Sequence, residues 1–120
     1  MSKVEIKKQW EFDEIQCYET RTKKYYVHEA IRLSKDLPVK EIKLSEIYMS
    51  YGSMCKDSFR SFLEHVKMVN DADLSCPILM NEDGCIIDGR HRLAKAILDE
   101  CETIKVKRFV DDPADCFDWI

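Results

Sequence analysis

The sequence is poor in glycine and proline, with three of each in 120 residues. That excludes collagen-like and low-complexity architectures, and no Pro- or Gly-rich linker divides the chain. No internal repeat is visible. No apolar run approaches the roughly 20 residues that a membrane-spanning helix needs. The N-terminus, Met1-Ser2-Lys3-Val4-Glu5, lacks the apolar stretch of a secretory signal. These absences set the expectation of a cytoplasmic chain with no membrane partner. Six cysteines stand at 17, 55, 76, 85, 101 and 116, and none forms a CxxC or CxH pair. Structural zinc sites use such close ligand pairs, so no metal ligand is assigned. The cysteines read as free or buried thiols.

Positive charge is also in short supply. The formal net charge is −4, which argues against a protein held on DNA by its overall charge. The deficit is local, because residues 111–120 carry four Asp and no base. Residues 1–110 balance, which leaves room for a basic pocket. What is present is a globular composition, 45% hydrophobic and 35% charged. The length fits one domain with a single fold and leaves no room for two full cores.

Residues 1–26 show no clean period. Trp10, Phe12, Ile15 and Tyr18 supply apolar anchors, and strands or an irregular arm both fit. Residues 28–36 predict a short helix with Ala30, Ile31, Leu33 and Ser34 on one face, ended by Leu37-Pro38. Residues 39–44 alternate as VKEIKL and predict a strand. Ser45 can cap a short turn through Ile47, and residues 48–56 predict a loop. A second helix follows, with Asp57 or Ser58 as N-cap. Phe59, Phe62, Leu63, Val66 and Val69 form its apolar stripe, expected to face the core. Arg60, Glu64 and Lys67 fall on another face as solvated, paired charges. His28 and His65 have no second His at ligand spacing and read as structural or surface residues.

Residues 76–80 and 85–87 predict a hairpin around the Asn81-Glu82-Asp83-Gly84 turn. A helix over residues 90–100 follows, with Leu93, Ala94, Ala96 and Ile97 inward. Residues 103–109 predict a closing strand with Ile104 and Val106 on one face. The mixed order of elements predicts an α+β domain, a small mixed sheet with helices packed on it.

Chemistry concentrates at Asp88-Gly89-Arg90-His91-Arg92, where a strand ends and a helix begins. The first turn of a helix offers unpaired N–H groups and a positive dipole end, which together favour an anion. Gly89 removes a Cβ that would hinder a phosphate. Arg offers a planar fork of donors to phosphate oxygens, and His91 can donate or carry charge. Three basic residues at a helix N-terminus oppose the dipole, and a bound anion resolves the conflict. The alternative is that Asp88 caps the helix while the arginines face solvent or pair with acids.

These residues carry a resemblance. The run from Leu37 to Phe109, with LPVKEIKLSEI, the helix at residues 59–69 and DADLSCPILMNEDGCIIDGRHRLAKAILDECETIKVKRF, resembles the ParB/sulfiredoxin-like superfamily. It is closest to small stand-alone ParB-like proteins of bacteria and phages. The resemblance implies one domain over residues 1–120, with a core at 37–109, an N-terminal arm at 1–26 and an acidic tail at 110–120. It also implies a nucleotide pocket. ParB proteins grip the triphosphate of CTP with a Gly-Glu-Arg-Arg phrase at this turn. Sulfiredoxins hold ATP phosphate with a Gly-Cys-His-Arg phrase whose Cys is catalytic. ParB-like free-serine kinases use an Asp-Gly-His-Thr-Arg-like phrase. The matching residues are Gly89, Arg90, His91 and Arg92, with Asp88 matching the kinase-like Asp. Arg60 and Lys67 fall where such domains reach the nucleotide from the preceding helix.

The departures narrow the reading. Arg90 replaces the sulfiredoxin cysteine, and Cys85 lies four residues earlier, so sulfinic-acid reduction is not expected. Arg90 also replaces the ParB Glu. No ENxQR-like segment is present and only 11 residues follow Phe109, so clamping on a DNA site as in full ParB proteins is not expected. The expectation is an NTP-binding domain for ATP or CTP with Mg²⁺, serving hydrolysis or phosphoryl transfer to a small-molecule or protein acceptor. Asp88 and His91 are the catalytic candidates, and Glu46 or Glu64 a second acid by family geometry only. The alternatives are a non-catalytic nucleotide-dependent switch and a DNA-associated ParB-like protein, including a nuclease. The acidic balance weighs against DNA. The tail residues Phe117, Trp119 and Ile120 fold back on the core or meet a partner.

Overall fold

A computed structural model of the chain describes residues 16–47 and 58–120. Trp10, Phe12, Ile15, the loop over residues 48–56, Cys55 and the alternative cap Asp57 lie outside the described residues. Among these, the elements in chain order are β1 (Cys17–Glu19), β2 (Lys23–Tyr26), α1 (Val27–Leu33), β3 (Lys40–Lys43) and α2 (Phe59–Asp71). Then come β4 (Ile78–Met80), β5 (Ile86–Asp88), α3 (Arg90–Leu98), β6 (Thr103–Arg108) and β7 (Phe117–Trp119). Short 3₁₀ turns span Leu44–Glu46 and Ala114–Cys116. The fold is α+β, with two sheets and three helices among the described residues.

One sheet has the order β3-β6-β4-β5. It is mixed: β4 runs parallel to β6, while β3–β6 and β4–β5 are antiparallel. The hairpin and the closing strand thus match expectation. In β6 Ile104 and Val106 are buried and Thr103 and Lys105 exposed, the period of a strand with one covered face. The hairpin strands are instead apolar at successive positions because both their faces are covered. Ile78, Met80 and Ile86 enter one core with Leu44, Leu93, Ala96, Ile104 and Val106. Leu79 and Ile87 point the other way, into a second core with Tyr25, Val27, Ala30, Phe109 and Cys116. Each fully buried aliphatic contributes about 1.5–3 kcal/mol.

The second core extends the domain on both sides of residues 37–109. The second sheet has the order β1-β2-β7, so the acidic tail returns as an antiparallel strand on β2. Ile120 N donates to Thr22 O at 2.8 Å. The Phe117 ring lies 5.8 Å from the Tyr25 ring. Asp112 carries the attachment. Its side chain is fully buried and accepts from Tyr25 Oη at 2.5 Å, Lys23 Nζ at 3.0 Å and Glu82 N at 2.9 Å. Lys23 also pairs with Glu82 at 2.6 Å and lies 4.4 Å from the Phe117 ring centre. Burial opposes the Asp112 charge, but these donors outweigh it and hold the carboxyl below its usual range. Burial pushes the Cys116 thiol up to about 11, with the Asp112 charge a second cause, so it stays protonated. Cys76, Cys85, Cys101 and Cys116 are free thiols.

Three helix expectations change. α1 ends at Leu33 because the Ser34 hydroxyl takes the Ile31 carbonyl at 2.7 Å. α2 starts where Ser58 Oγ accepts from Ser61 N at 3.1 Å, so Ser58 is the cap. Its apolar stripe faces the core only in part: Leu63 and Val69 are half-buried, but Phe59 is 75% exposed, Phe62 54% and Val66 38%. The buried residues of α2 are Ser61 and His65, one turn apart. A polar contact to α3 fixes the rotation of α2 in place of the apolar stripe. On α3, Leu93 and Ala96 are buried, Ala94 is half-buried and Ile97 is exposed rather than inward.

Candidate functional site

The turn from β5 to α3 needs glycine for two reasons. Gly89 is the α3 N-cap, with φ 108° and ψ 21°, in the left-handed region. A Cβ there would stand 2.5 Å from Ile78 Cγ2 and 2.9 Å from Ile78 Cβ. The close approach that Gly89 permits is therefore to the neighbouring strand β4.

No side chain caps α3, and no acidic residue lies in its first turn. This corrects the alternative role of Asp88 as cap. Asp88 Oδ2 instead accepts from Arg92 Nη2 at 2.7 Å, across one helical turn. Arg92 Nη1 donates to Pro77 O at 2.7 Å. Arg92 thereby ties α3 to both hairpin strands, and Asp88 orients that guanidinium. An ion-paired Asp88 is poorly placed to act as a base.

The three basic side chains of the first turn take different directions. Arg90 lies over the Tyr18 ring, 4.8 Å from its centre. Burial raises the Tyr18 pKa and the neighbouring Cys85 adds to this, while Arg90 works against both. Cys85 thus belongs to the surroundings of Arg90. His91 turns to α2, where its Nε2 meets His65 Nδ1 at 2.8 Å. The two rings stack with centres 5.1 Å apart and planes at 15°. Burial lowers the His91 pKa, and the neighbouring His65 charge lowers it further. His91 is therefore neutral at pH 7. His65 is buried, and its Nε2 has no hydrogen-bond partner.

The remaining candidates lie elsewhere. Arg60 is 71% exposed at its side chain and pairs with Glu64 at 3.5 Å. Lys67 pairs with Asp71 at 3.3 Å. Both hold carboxylates of their own helix, and neither has an ion pair to the β5–α3 turn among the described residues. Glu46 is exposed in its 3₁₀ turn. The structure thus brings Asp88, Gly89, Arg90, His91 and Arg92 together at one helix start without drawing in Arg60 or Lys67. No group of three or more His, Cys, Asp or Glu able to hold a metal occurs among the described residues.

His65 is the residue that spacing does not reveal. Its partner lies 26 residues away on another helix, and the apolar stripe of α2 points to a different face. No family model, no curated protein and no solved structure matches this chain.

Proposed function

We propose that this chain is a ParB/sulfiredoxin-like domain that binds the phosphates of a nucleoside triphosphate at the start of α3. One observation carries the reading: an N-terminus with no side-chain cap and no acid, bearing Arg90, His91 and Arg92. The dipole and the N–H groups of the first turn favour an anion there, and Arg90 adds positive charge beside them, Arg92 being paired with Asp88 and His91 neutral. Arg90 and the backbone of the first turn hold the phosphates. Neutral His91 supplies a directed imidazole, positioned by His65. Arg92, braced by Asp88 and Pro77 O, fixes the turn. Mg²⁺ would arrive on the nucleotide, held largely by phosphate and water. The bound nucleotide serves hydrolysis or phosphoryl transfer to a small-molecule or protein acceptor, which needs positioning and charge neutralisation more than covalent chemistry.

A second reading is a non-catalytic nucleotide-dependent switch. The Asp88–Arg92 ion pair favours it, because it occupies the carboxylate best matched to a base. Calorimetric titration with ATP, CTP, GTP and ADP plus Mg²⁺ tests the common claim. The wild-type chain should bind at least one triphosphate, and Arg90→Ala should weaken it about tenfold or more. Turnover of the bound nucleotide then separates enzyme from switch. No binding of any of the four removes the reading. Arg92→Ala is the poorer variant, because it also releases Pro77 and Asp88.

A further inference from the structure

A pocket of about 450 Å³ opens between α1, β4 and β6, and neither His65 nor His91 lines it. Its lining includes four cations, Arg32, Lys35, Arg92 and Lys107, and one carboxylate, Asp88. In a chain of net charge −4 this is a concentration of the scarcer sign. Two of the cations are already compensated. Arg92 pairs with Asp88 at 2.7 Å, and Arg32 pairs with Glu29 at 2.7 Å. The other two are not. Lys107 Nζ donates only to the carbonyls of Ser34 and Lys35, at 3.2 Å each, which carry no net charge. Lys35 has no salt bridge among the described residues. Among the described residues, the pocket therefore holds about two positive charges without a carboxylate partner. Arg92 adds donors of its own, since two of the five guanidinium N–H groups suffice for Pro77 O and Asp88.

The opposite wall is apolar. Ile78 and Leu79 of β4 lie beneath it, almost wholly buried, and Ile31, 42% exposed, supplies the apolar rim. An apolar rim with a few convergent charged groups, at this volume, is the make-up of a small-molecule site. We propose that this pocket binds a small organic phosphate monoester. Its phosphate, carrying about −1.5 to −2 charge at pH 7, matches the Lys35 and Lys107 ammonium groups and the Arg92 fork, and its body covers Ile31. The site adjoins the α3 N-terminus but does not include Gly89, Arg90 or His91. The two share only the Asp88–Arg92 pair.

Phenyl phosphate is the probe, with phenol and inorganic phosphate as partial ligands. Amide chemical shifts of the full chain should move saturably at Ile31–Lys35, Ile78 and Lys107, with phenyl phosphate binding tighter than either part. Lys35→Glu, at an exposed position, should weaken it about tenfold or more. Lys107→Met should do the same while keeping native amide dispersion, which guards against a variant that merely unfolds. No saturable shifts at millimolar phenyl phosphate, equal binding of phenol, or unchanged binding by Lys35→Glu would each overturn the proposal. Shifts confined to Arg90 and His91 would overturn it too. ATP titrated on the same sample reports the α3 site separately, so one claim can fail while the other stands.

Discussion

His65 Nδ1 and His91 Nε2 share a 2.8 Å hydrogen bond that joins α2 to the first turn of α3. Such a bond needs one donor and one acceptor, so the pair tolerates at most one extra proton. Two imidazolium rings stacked at 5.1 Å would have no acceptor and would repel. The sign of the pH effect follows. His91 has a lowered pKa in the fold, so the unfolded chain binds more protons below the ordinary imidazole value of about 6.5. The stability that neutral His91 preserves is full above that value and is lost as pH falls through the folded pKa. Urea unfolding at pH 7.5 and pH 5.5 should show a loss at the lower pH. His65→Leu should reduce that loss by removing the neighbouring charge. Equal pH dependence in both proteins would contradict the account.

Arg92 is expected to behave as a brace. Both of its hydrogen bonds are charge-assisted, one to Pro77 O just before β4 and one to Asp88 at the end of β5. Arg92→Lys keeps the charge but loses the fork geometry. It should cost about 1.5–3 kcal/mol in denaturant unfolding. A change within about 0.5 kcal/mol would assign Arg92 to solvent instead.

Gly89→Ala should be among the most damaging single changes. The left-handed backbone costs a non-glycine residue about 1–2 kcal/mol. The 2.5 Å approach to Ile78 adds overpacking of about 1–3 kcal/mol. A thermal-unfolding midpoint equal to wild type would show that this turn relaxes freely.

Much of the first sheet was legible, and the reason is periodicity. Ile104 and Val106 alternate with Thr103 and Lys105, and a glycine-containing turn interrupts two short apolar runs at residues 78–87. The second sheet was not legible. β1, β2 and β7 have three or four residues each, too short for a period to emerge, and their pairing is held by Asp112, whose partners Tyr25 and Glu82 are distant in sequence. An acidic tail reads as solvated until such partners are known. The orientation of α2 failed for a related reason. The wheel identifies the most apolar face, but a His65–His91 hydrogen bond decided which face docks. At the candidate site the residues of the helix start were visible, whereas the separate directions of Arg90, His91 and Arg92 depend on Tyr18, His65 and Pro77. The pocket cations Arg32, Lys35 and Lys107 come from α1, its C-terminal end and β6, and no local spacing joins them.

Asp112 gives the test of the tail. Asp112→Ala leaves Lys23 buried with only the partly exposed Glu82 as counter-charge. Breaking one side of a buried pair costs about 3–5 kcal/mol. Because the folded Asp112 pKa is depressed, its contribution is full above the ordinary carboxylate range and is lost as pH falls through the folded value. Limited proteolysis should cut the variant near residues 110–120 while sparing wild type. Equal resistance would place the weight of the tail on Cys116 and Phe117 alone.

The most direct test of the central claim is amide chemical-shift mapping during titration with ATP–Mg²⁺ and CTP–Mg²⁺. Binding at the start of α3 predicts saturable shifts at Gly89, Arg90, His91 and Arg92, with the His65 and His91 ring signals moving together. Saturable shifts located elsewhere, or none with either nucleotide, would contradict it.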